Sequence, residues 1–339
     1  MTPSVEVLIT LPFPEDLVAQ LRSVSPRLHV TVHKAGKPEE VPAELWQRVE
    51  VLYTDSVLPK PEQAPKLRWI QFHWAGLEKF MDAPILKKPG LHATSLSGAA
   101  APQMAEYVLL MLLAFGHRLP ELLENQRKME WPRDRWKRFS PKELNDSIAG
   151  IVGYGSIGRE VGRLLHEFGA TVLATKRDAM QPEDPGYTPE GLGDPQGGLV
   201  SRLYPPQAIR SMLKECDFVV ITVPLTSETQ DLIGAEELAA MKSTAYLVDV
   251  SRGGVVNQSA LVAALREKRI AGAALDVFPE EPLPPDNPLW KMPNVIVTPH
   301  IAGLTPRYDE RAVDLFAENL HRYLAGLPLY NLIDVRSGY

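Results

Sequence analysis

Three glycines in G-x-G-x-x-G spacing constrain the fold of this chain more than any other feature. They are Gly153, Gly155 and Gly158. An apolar run typical of a strand precedes them at residues 148–152, and a run with helical periodicity follows at residues 157–168. In such a unit the first glycine permits a tight turn, the second leaves room for a pyrophosphate, and the third lets helix and strand pack closely. The pattern predicts a dinucleotide at the N-terminus of the helix, with an ordinary glycine-rich turn as the alternative.

The residues about 20 positions after the glycines indicate which dinucleotide is bound. An acidic residue there would bind the ribose 2′-hydroxyl of NAD, but Lys176 and Arg177 follow the strand-like run at residues 171–175. A guanidinium binds a 2′-phosphate bidentately, so the pair favours NADP. NAD is the alternative, because Asp178 can reach a ribose hydroxyl and a basic pair at a strand end is often only solvated.

Composition limits the class of protein. The chain has 339 residues, of which 45% are hydrophobic, and this is enough for two domains. A net charge of −6 gives no indication of a nucleic-acid or membrane partner. The single cysteine, Cys216, excludes an intrachain disulfide, favours a reducing compartment and is expected to be a buried structural thiol.

Targeting and membrane segments are not indicated. Residues 1–10 lack the basic region and long apolar core of a signal peptide, and residues 5–9 are predicted to form a first strand. The apolar run at 107–115 is too short to cross a bilayer and is predicted to be a core helix. We therefore expect a cytoplasmic protein.

Strand-like and helix-like runs alternate in two series. The segment at 181–204 is rich in Pro and Gly and is predicted to be a surface excursion. Helices are predicted at 14–24, from 101–103 onward and at 306–324. The predicted strands are 5–9, 29–32, 51–53 and 67–71 in the first series, and 148–152, 171–175, 218–223, 246–250, 272–277 and 295–298 in the second.

Three charged residues follow predicted strands of the second series: Arg252, Glu281 and His300. Ligands of doubly wound sheets bind outside the carboxyl ends of the strands, so all three are candidates for chemistry. Each has a structural alternative, since Arg252 can be a capping residue, Glu281 part of a solvated loop and His300 a packing residue. Their joint position downstream of the glycine fingerprint favours the functional interpretation.

The motifs around these residues are Ser-Arg-Gly-Gly at 251–254, the run at 275–282 and Pro-His-Ile-Ala-Gly at 299–303. Together and in this order they resemble the signatures of the D-isomer-specific 2-hydroxyacid dehydrogenases. That family includes glyoxylate/hydroxypyruvate reductases, D-lactate dehydrogenase and phosphoglycerate dehydrogenase. The resemblance runs from the Trp-Ala-Gly-Leu loop at 74–77 through Ala-Glu at 105–106 to the last helix.

The resemblance implies a catalytic set. His300 would be the general acid and base, because an imidazole exchanges protons near neutral pH. Glu281 would fix its tautomer, and Arg252 would bind the carboxylate and carbonyl oxygen of a 2-keto acid. The loop that matches Ala75, Gly76 and Leu77 holds the substrate carboxylate with its main-chain amides in this family.

The resemblance also assigns the cofactor contacts. Gly153, Gly155 and Gly158 would form the phosphate turn, and Lys176 and Arg177 would bind the 2′-phosphate. Further contacts are implied at the pyrophosphate (Ser156, Ile157), under the adenosine (Val223, Pro224, Thr229), beside the nicotinamide (Val250, Ser251, Asp276) and at Gly303; no metal ligand is implied.

The implied architecture is α/β, with two Rossmann-like domains that contain doubly wound parallel sheets with a cleft between them. Residues 1–101 and 304–339 would form the substrate domain, and residues 102–303 would bind the dinucleotide. The helix that begins near 102 and the helices after it would pack against a second subunit, as in the family's dimers. Ala100 replaces an Asn that the family often carries, so no role is assigned there.

The resemblance implies hydride transfer between NADPH and a small 2-keto acid, giving a D-2-hydroxy acid. No arginine cluster for a phosphate lies near Trp74, and no regulatory extension follows residue 339, so glyoxylate or hydroxypyruvate is expected. Two other functions are kept open. One is a non-catalytic NAD(H) sensor similar to the C-terminal-binding corepressors. The other is a phosphite- or formate-type dehydrogenase, although formate dehydrogenases have Gln at the position of Glu281.

Overall fold

The computed structural model describes residues 4–77 and 79–333, which fold into parallel strands and helices. The chain divides into two units. The first takes the residues up to 100, residues 185–187 and those from 305 onward; the second takes residues 101–184 and 188–304. Within the described residues, no helix is both long and apolar enough to span a membrane.

The first unit contains a parallel sheet, five-stranded in the part of the chain described, with strand order β2-β1-β3-β4-β5. Its last strand was not predicted, because the short His-Ala-Thr sequence has no apolar run. Residues on α10 (Val313, Phe316) share a core with residues of β1 and β4. The elements are β1 (Val5–Ile9), α1 (Glu15–Ser23), β2 (Leu28–Val32), α2 (Ala43–Arg48), β3 (Val51–Thr54), β4 (Trp69–Phe72), β5 (His92–Thr94) and α10 (Tyr308–Ala325).

The second unit contains a larger parallel sheet, with seven strands among the described residues in the order β12-β11-β10-β9-β6-β7-β8. The strands are β6 (Ile148–Val152), β7 (Thr171–Thr175), β8 (Arg202–Tyr204), β9 (Phe218–Ile221), β10 (Tyr246–Asp249), β11 (Gly272–Leu275) and β12 (Val295–Val297). Strand order reverses between β6 and β9, and ligands bind at such a switch point. The predicted α/β fold with doubly wound parallel sheets is confirmed.

The helices of the second unit are α3 (Ala101–Gly116), α4 (Leu119–Lys128), α5 (Arg135–Arg138), α6 (Ser156–Glu167), α7 (Ile209–Leu213), α8 (Ala235–Ala240) and α9 (Gln258–Arg266). Short 3-10 helices at Pro38–Glu40, Pro84–Lys87, Pro206–Ala208 and Pro288–Lys291 each begin with proline, whose fixed φ suits a first helical position. Most of α3 is buried, as predicted for a core helix.

The predicted surface excursion at 181–204 is wrong at its end. Residues Arg202–Tyr204 form β8, which pairs with β7 in parallel register, and the Tyr204 side chain is buried. Asp194, inside the segment, is also buried. The strand was missed because three residues that follow a Pro- and Gly-rich stretch give too little pattern to identify a strand.

Cys216 is buried, as predicted, and its position constrains the middle of β6. Burial raises the pKa of its thiol to about 12, so it stays protonated. The Sγ atom donates to the carbonyl of Met212 at 3.1 Å. A Cβ atom built on Gly150 would lie 2.4 Å from Cys216 Sγ, so the strand needs glycine at this position to pass the thiol.

We expect Gly150→Ala to lower the free energy of unfolding by about 1–3 kcal/mol, as overpacking of a core does. In Cys216→Ala/Gly150→Ala the clashing sulfur is absent, so part of the lost stability should be recovered. We expect a coupling free energy between the two substitutions of more than about 0.5 kcal/mol, as is usual for residues in contact. Urea unfolding followed by circular dichroism measures all four proteins. Additive effects of the two substitutions would contradict the proposed clash.

Candidate active site

The turn after β6 requires glycine at its first position. Gly153 has φ +100°, and a Cβ atom on it would lie 2.6 Å from Val223 Cγ1. The turn is fixed by Thr175, which receives a hydrogen bond from the Gly153 N–H at its hydroxyl (3.0 Å) and one from the Tyr154 N–H at its carbonyl (2.9 Å). The turn therefore lies between the ends of β7 and β9.

The other two glycines of the fingerprint have different surroundings. A Cβ atom on Gly158 would lie 2.2 Å from the Gly153 carbonyl oxygen, so this glycine allows α6 to pack against the turn. A Cβ atom on Gly155 would meet nothing within 4 Å, and Gly155 is exposed. Packing of the protein therefore explains Gly158 but not Gly155.

These observations fit a dinucleotide. Space at Gly155 lets a pyrophosphate approach the main chain, and Ser156 and Ile157 begin α6, whose N-terminal N–H groups favour an anion. Gly155 itself stands at the N-cap of α6 with no side chain to cap it. The residues present therefore match the group that the sequence predicts.

The two residues of the basic pair after β7 differ in exposure, Lys176 being half-buried and Arg177 exposed. Lys176 Nζ donates to two main-chain carbonyls of the following loop, those of Gln181 and Glu183 (2.9 Å to the second). Two of the three Lys176 N–H donors thus bind main-chain carbonyls of the loop, and the exposed Arg177 is the stronger candidate for a direct phosphate contact.

The turn after β9 places Val223 against the phosphate turn, as the distance to Gly153 shows. Thr229, at the end of the same segment, donates from its hydroxyl to the Pro224 carbonyl at 2.5 Å and receives the Thr226 N–H at 2.8 Å. The Thr229 hydroxyl therefore stabilises the turn at 224–229. Of the three residues predicted to contact the adenosine, Val223 is the one that lies against Gly153.

Arg252 stands in a turn that is organised by a buried acid at the end of β10. Asp249 Oδ1 accepts hydrogen bonds from the Ser251 N–H (3.0 Å) and hydroxyl (2.6 Å), while Arg252 Nη1 donates to the Ser251 carbonyl at 2.8 Å. Val250 and Ser251 are buried. Burial raises the pKa of Asp249 to about 7, despite the lowering effect of the bonds from Ser251.

Gly253 brings the Arg252 turn against the segment that leads to Glu281. A Cβ atom on Gly253 would lie 1.9 Å from the Phe278 carbonyl oxygen, so only glycine fits. The Phe278 N–H in turn donates to Glu281 Oε1 at 2.9 Å. This contact between main chains places Arg252 near enough for its charge to act on Glu281.

Glu281 and His300 form a hydrogen-bonded pair. His300 Nδ1 donates to Glu281 Oε2 at 2.8 Å, which leaves Nε2 for another partner. Burial alone would raise the pKa of Glu281, but the bonds from His300 and Phe278 and the charge of Arg252 outweigh it and lower the pKa below its usual range. Glu281 therefore stays ionised and holds the imidazole in one orientation.

The loop that carries His300 is held by Asp276, which is buried. Asp276 Oδ1 accepts from the Thr298 hydroxyl (2.6 Å) and the Ile301 N–H (2.9 Å), and Oδ2 accepts from the Ala302 N–H (2.8 Å). Between these bonds His300 has φ +53°, the left-handed region that non-glycine residues rarely adopt. Asp276, which the sequence predicts beside the nicotinamide, thus positions the loop that carries His300.

Gly303 closes the same loop. Its carbonyl accepts from Gln103 Nε2 at 2.7 Å, which ties the loop to α3. A Cβ atom on Gly303 would make only an ordinary contact, at 3.9 Å, with Met104 Sδ. A predicted cofactor contact at Gly303 therefore concerns its main chain.

The predicted substrate loop lies in the first unit. Ala75 is exposed, Gly76 is half-buried and Leu77 is buried, while Glu78 lies outside the described residues. The main chain before the loop is held by the Tyr308 hydroxyl, which donates to the His73 carbonyl at 3.0 Å.

Sequence reasoning missed three residues that support the site. Asp249 positions Ser251, and Thr298 donates to Asp276. Tyr107, on α3, donates its hydroxyl to Thr298 Oγ1 at 2.6 Å, and burial raises the pKa of this phenol to about 12. An acid at the end of the apolar run 246–249 was the only available signal, and it pointed to Asp249. Among the described residues, no group of three or more His, Cys, Asp or Glu side chains could hold a metal ion.

Comparison with known proteins identifies the family. The family model described as "D-isomer specific 2-hydroxyacid dehydrogenase, NAD binding domain" matches residues 109–302. A glyoxylate reductase from Korarchaeum cryptofilum is 36% identical over 275 residues, which are 80% of this chain and 78% of the relative. The chain belongs to the D-isomer-specific 2-hydroxyacid dehydrogenase family. The dehydrogenase is therefore an NAD(P)-dependent oxidoreductase, as predicted from the motifs.

Other relatives of this dehydrogenase differ in their named substrates. A D-3-phosphoglycerate dehydrogenase from Methanocaldococcus jannaschii is 32% identical over 98% of this chain and 60% of its own length. A crystal structure of a family member from Xanthobacter autotrophicus Py2, in complex with NADPH and MES, is 29% identical, with a TM-score of 0.79 over 99% of this chain and 100% of that one. An NADPH-dependent glyoxylate/hydroxypyruvate reductase from Sinorhizobium meliloti, in complex with NADP and sulfate, is 25% identical, with a TM-score of 0.75 over 99% and 100% of the two chains.

The raised pKa of Asp249 predicts a pH dependence of stability. Aspartate has a pKa of about 3.9 when unfolded and Asp249 one of about 7 when folded, so folding takes up a proton between these values. Stability should therefore fall as the pH rises through this window, on the order of 1 kcal/mol per pH unit. Asp249→Asn keeps an acceptor for Ser251 and should lack this component in urea unfolding at about pH 5, 6 and 7. Equal pH slopes for Asp249→Asn, wild type and the exposed control Asp178→Asn would contradict the prediction.

Proposed function

We propose that this dehydrogenase reduces a small, unphosphorylated 2-keto acid, of the glyoxylate or hydroxypyruvate type, to the D-2-hydroxy acid with NADPH. The hydrogen-bonded Glu281–His300 pair, beside a turn that carries Arg252, is the observation that supports it most. The relatives named glyoxylate reductase and the NADPH-bound neighbours add to this support.

His300 is the general acid of the proposed reaction. Its Nδ1–H is engaged by Glu281, so Nε2 is the atom that donates a proton to the substrate oxygen as that oxygen becomes an alkoxide. Because Glu281 is a carboxylate, it also stabilises the imidazolium that exists before the proton leaves. A bound nicotinamide coenzyme supplies the hydride.

Arg252 binds and polarises the substrate. Its planar guanidinium can donate to both the carboxylate and the carbonyl oxygen of a 2-keto acid, and it stabilises negative charge on that oxygen. The bond from its Nη1 to the Ser251 carbonyl fixes one end of the guanidinium. We also propose that main-chain amides of Ala75, Gly76 and Leu77 bind the carboxylate, because small side chains at 75 and 76 leave the main chain accessible.

The proposed cofactor is NADP(H), with NAD(H) as the weaker ligand. The phosphate turn of Gly153, Gly155 and Gly158, with Ser156 and Ile157, receives the pyrophosphate, and the cation at 177 receives the 2′-phosphate. Val223 lies against the phosphate turn. Pro224, which follows it, and Thr229 would contact the adenosine, and the main chain of Val250 and Ser251 would contact the nicotinamide. The open space at Gly155 supports this assignment.

We expect wild-type protein to oxidise NADPH faster than NADH with glyoxylate or hydroxypyruvate at neutral pH. His300→Ala should lower kcat for reduction by roughly 10²–10⁴, the usual contribution of a general acid, while NADPH binding is retained. His166→Ala, which changes an exposed histidine on α6, is the control and should retain activity. Tight NADPH binding without turnover of any 2-keto acid, or a less than about tenfold loss in His300→Ala, would contradict the proposed function.

A homodimer is the proposed assembly. Trp131 and Trp136, around α5, are 83% and 80% exposed, and Met129 is also exposed, so a surface of large apolar side chains follows α4. Arg135 lies over the Trp136 ring at 4.7 Å. Apolar surface of this kind marks protein interfaces, and a second copy of this chain is the partner that the family resemblance indicates.

Trp131→Glu combined with Trp136→Glu should convert the dimer to a monomer, because a buried carboxylate without a partner opposes association. Light scattering coupled to size-exclusion chromatography measures the mass directly. Leu327→Glu, at another exposed apolar residue, is the matched control and should stay dimeric. A wild-type monomer, or a dimer that survives the double substitution, would contradict the assignment.

A further inference from the structure

Two cationic side chains, Lys176 and Arg159, bind the loop at residues 177–184. Lys176 Nζ donates to the carbonyls of Gln181 and Glu183, as described above. Arg159, on α6, donates from Nη2 to the Pro182 carbonyl at 2.6 Å and from Nε to Asp184 Oδ2 at 3.2 Å. The three successive carbonyls of residues 181–183 therefore all accept hydrogen bonds from two cationic side chains. In an extended chain successive carbonyls point in alternating directions, so the two cations hold the loop in a different conformation.

Arg159 has no access to a ligand. Its side chain is 1% exposed, and its third nitrogen, Nη1, donates to the Asp194 carbonyl. The guanidinium also lies 4.8 Å from the centre of the Tyr154 ring. Every nitrogen of this arginine is thus engaged with the protein, and its charge is used to fix main-chain carbonyls.

The loop that these cations hold begins at the residue proposed to bind the 2′-phosphate. Arg177 follows β7, where the adenosine ribose lies in this fold. Within the loop, the Met180 N–H donates to Asp178 Oδ1 at 3.0 Å, and the Gln181 N–H donates to the Asp178 carbonyl at 3.3 Å. The loop is therefore built as one ordered turn between Arg177 and the carbonyls that Arg159 and Lys176 hold.

We propose that Arg159 is a positioning residue for coenzyme selectivity: together with Lys176 it holds the 177–184 loop in the conformation that presents Arg177 to the 2′-phosphate of NADP(H). The proposal rests on the proposed function, because it needs NADPH to be the preferred coenzyme. It assigns coenzyme selectivity to a buried arginine on α6 that has no direct access to a ligand. It also gives Lys176 an indirect role through the loop.

The test compares dissociation constants of NADPH and NADH, measured by isothermal titration calorimetry, for Arg159→Met, Arg177→Ala and the double variant. If the released loop is competent about one-tenth of the time, the Kd of NADPH in Arg159→Met rises about tenfold, while that of NADH changes less than about twofold. Arg163→Met removes a cation one turn further along α6 and is the control, with both constants unchanged.

The double variant separates loop positioning from general loosening of the fold. Without Arg177 the loop conformation has little effect on the phosphate, so Arg159→Met should add less than about twofold to the loss in Arg177→Ala. Equal losses for NADPH and NADH in Arg159→Met, or additive losses in the double variant, would overturn the inference. If Arg159→Met does not fold, Lys176→Met is compared in the presence and absence of Arg177 instead. A loss of NADPH affinity that is additive with Arg177→Ala would mean that Lys176 contacts the phosphate directly, and would contradict its role in holding the loop.

The outcome for wild type distinguishes the two proposals. Equal affinities for NADPH and NADH would overturn the coenzyme assignment and this inference together. A clear NADPH preference that persists in Arg159→Met would overturn only the inference. Because binding is measured without substrate, the identity of the keto acid does not affect either result.

Discussion

Two buried carboxylates at neighbouring strand ends determine where the charged groups of the site lie. Asp249 ends β10 and Asp276 follows β11, and both are buried. Such a group is costly unless donors reach it. Ser251, directly after β10, supplies the donors to Asp249, and residues after β12 supply those to Asp276. The turn at Asp249 carries Arg252, and the loop after β12 that binds Asp276 carries His300. The positions of the guanidinium and the imidazole thus follow from satisfying buried acids, and the left-handed backbone of His300 is one consequence.

Much of the fold could be predicted because its central strands are long, apolar and bounded by turns. Strands β6 and β7 match the predicted residues at both ends, since Gly153 and Lys176 directly follow them and Asp146 and Gly169 lie two residues before them. Edge strands β5 and β8 could not be predicted in the same way. Each has three residues and no apolar run, the sequences being His-Ala-Thr and Arg-Leu-Tyr. The three-residue edge strand β12, by contrast, is Val-Ile-Val and was predicted.

The candidate site was predictable where a residue type carries its own chemistry. Glycines in a fixed spacing, and Arg252 or His300 after strands, can be recognised from the sequence. Contacts that join distant parts of the chain cannot: Tyr107 meets Thr298 across 191 residues, and nothing local marks that pair. For the same reason the basic residue Lys176 suggested a phosphate contact, whereas in the fold it binds carbonyls of a loop that has no periodic pattern.

The empty space around Gly155 separates the requirements of folding from those of binding. Its φ of −92° is open to any residue, and a Cβ atom there would meet no protein atom within 4 Å. Gly153 and Gly158, by contrast, are needed by the turn and by helix packing. Selection for a stable fold alone would therefore preserve two glycines of the fingerprint and let the third drift. In relatives that no longer bind a coenzyme, we therefore expect Gly155 to be replaced by other residues before Gly153 or Gly158. The residue at position 155 thus indicates whether the coenzyme site is still functional.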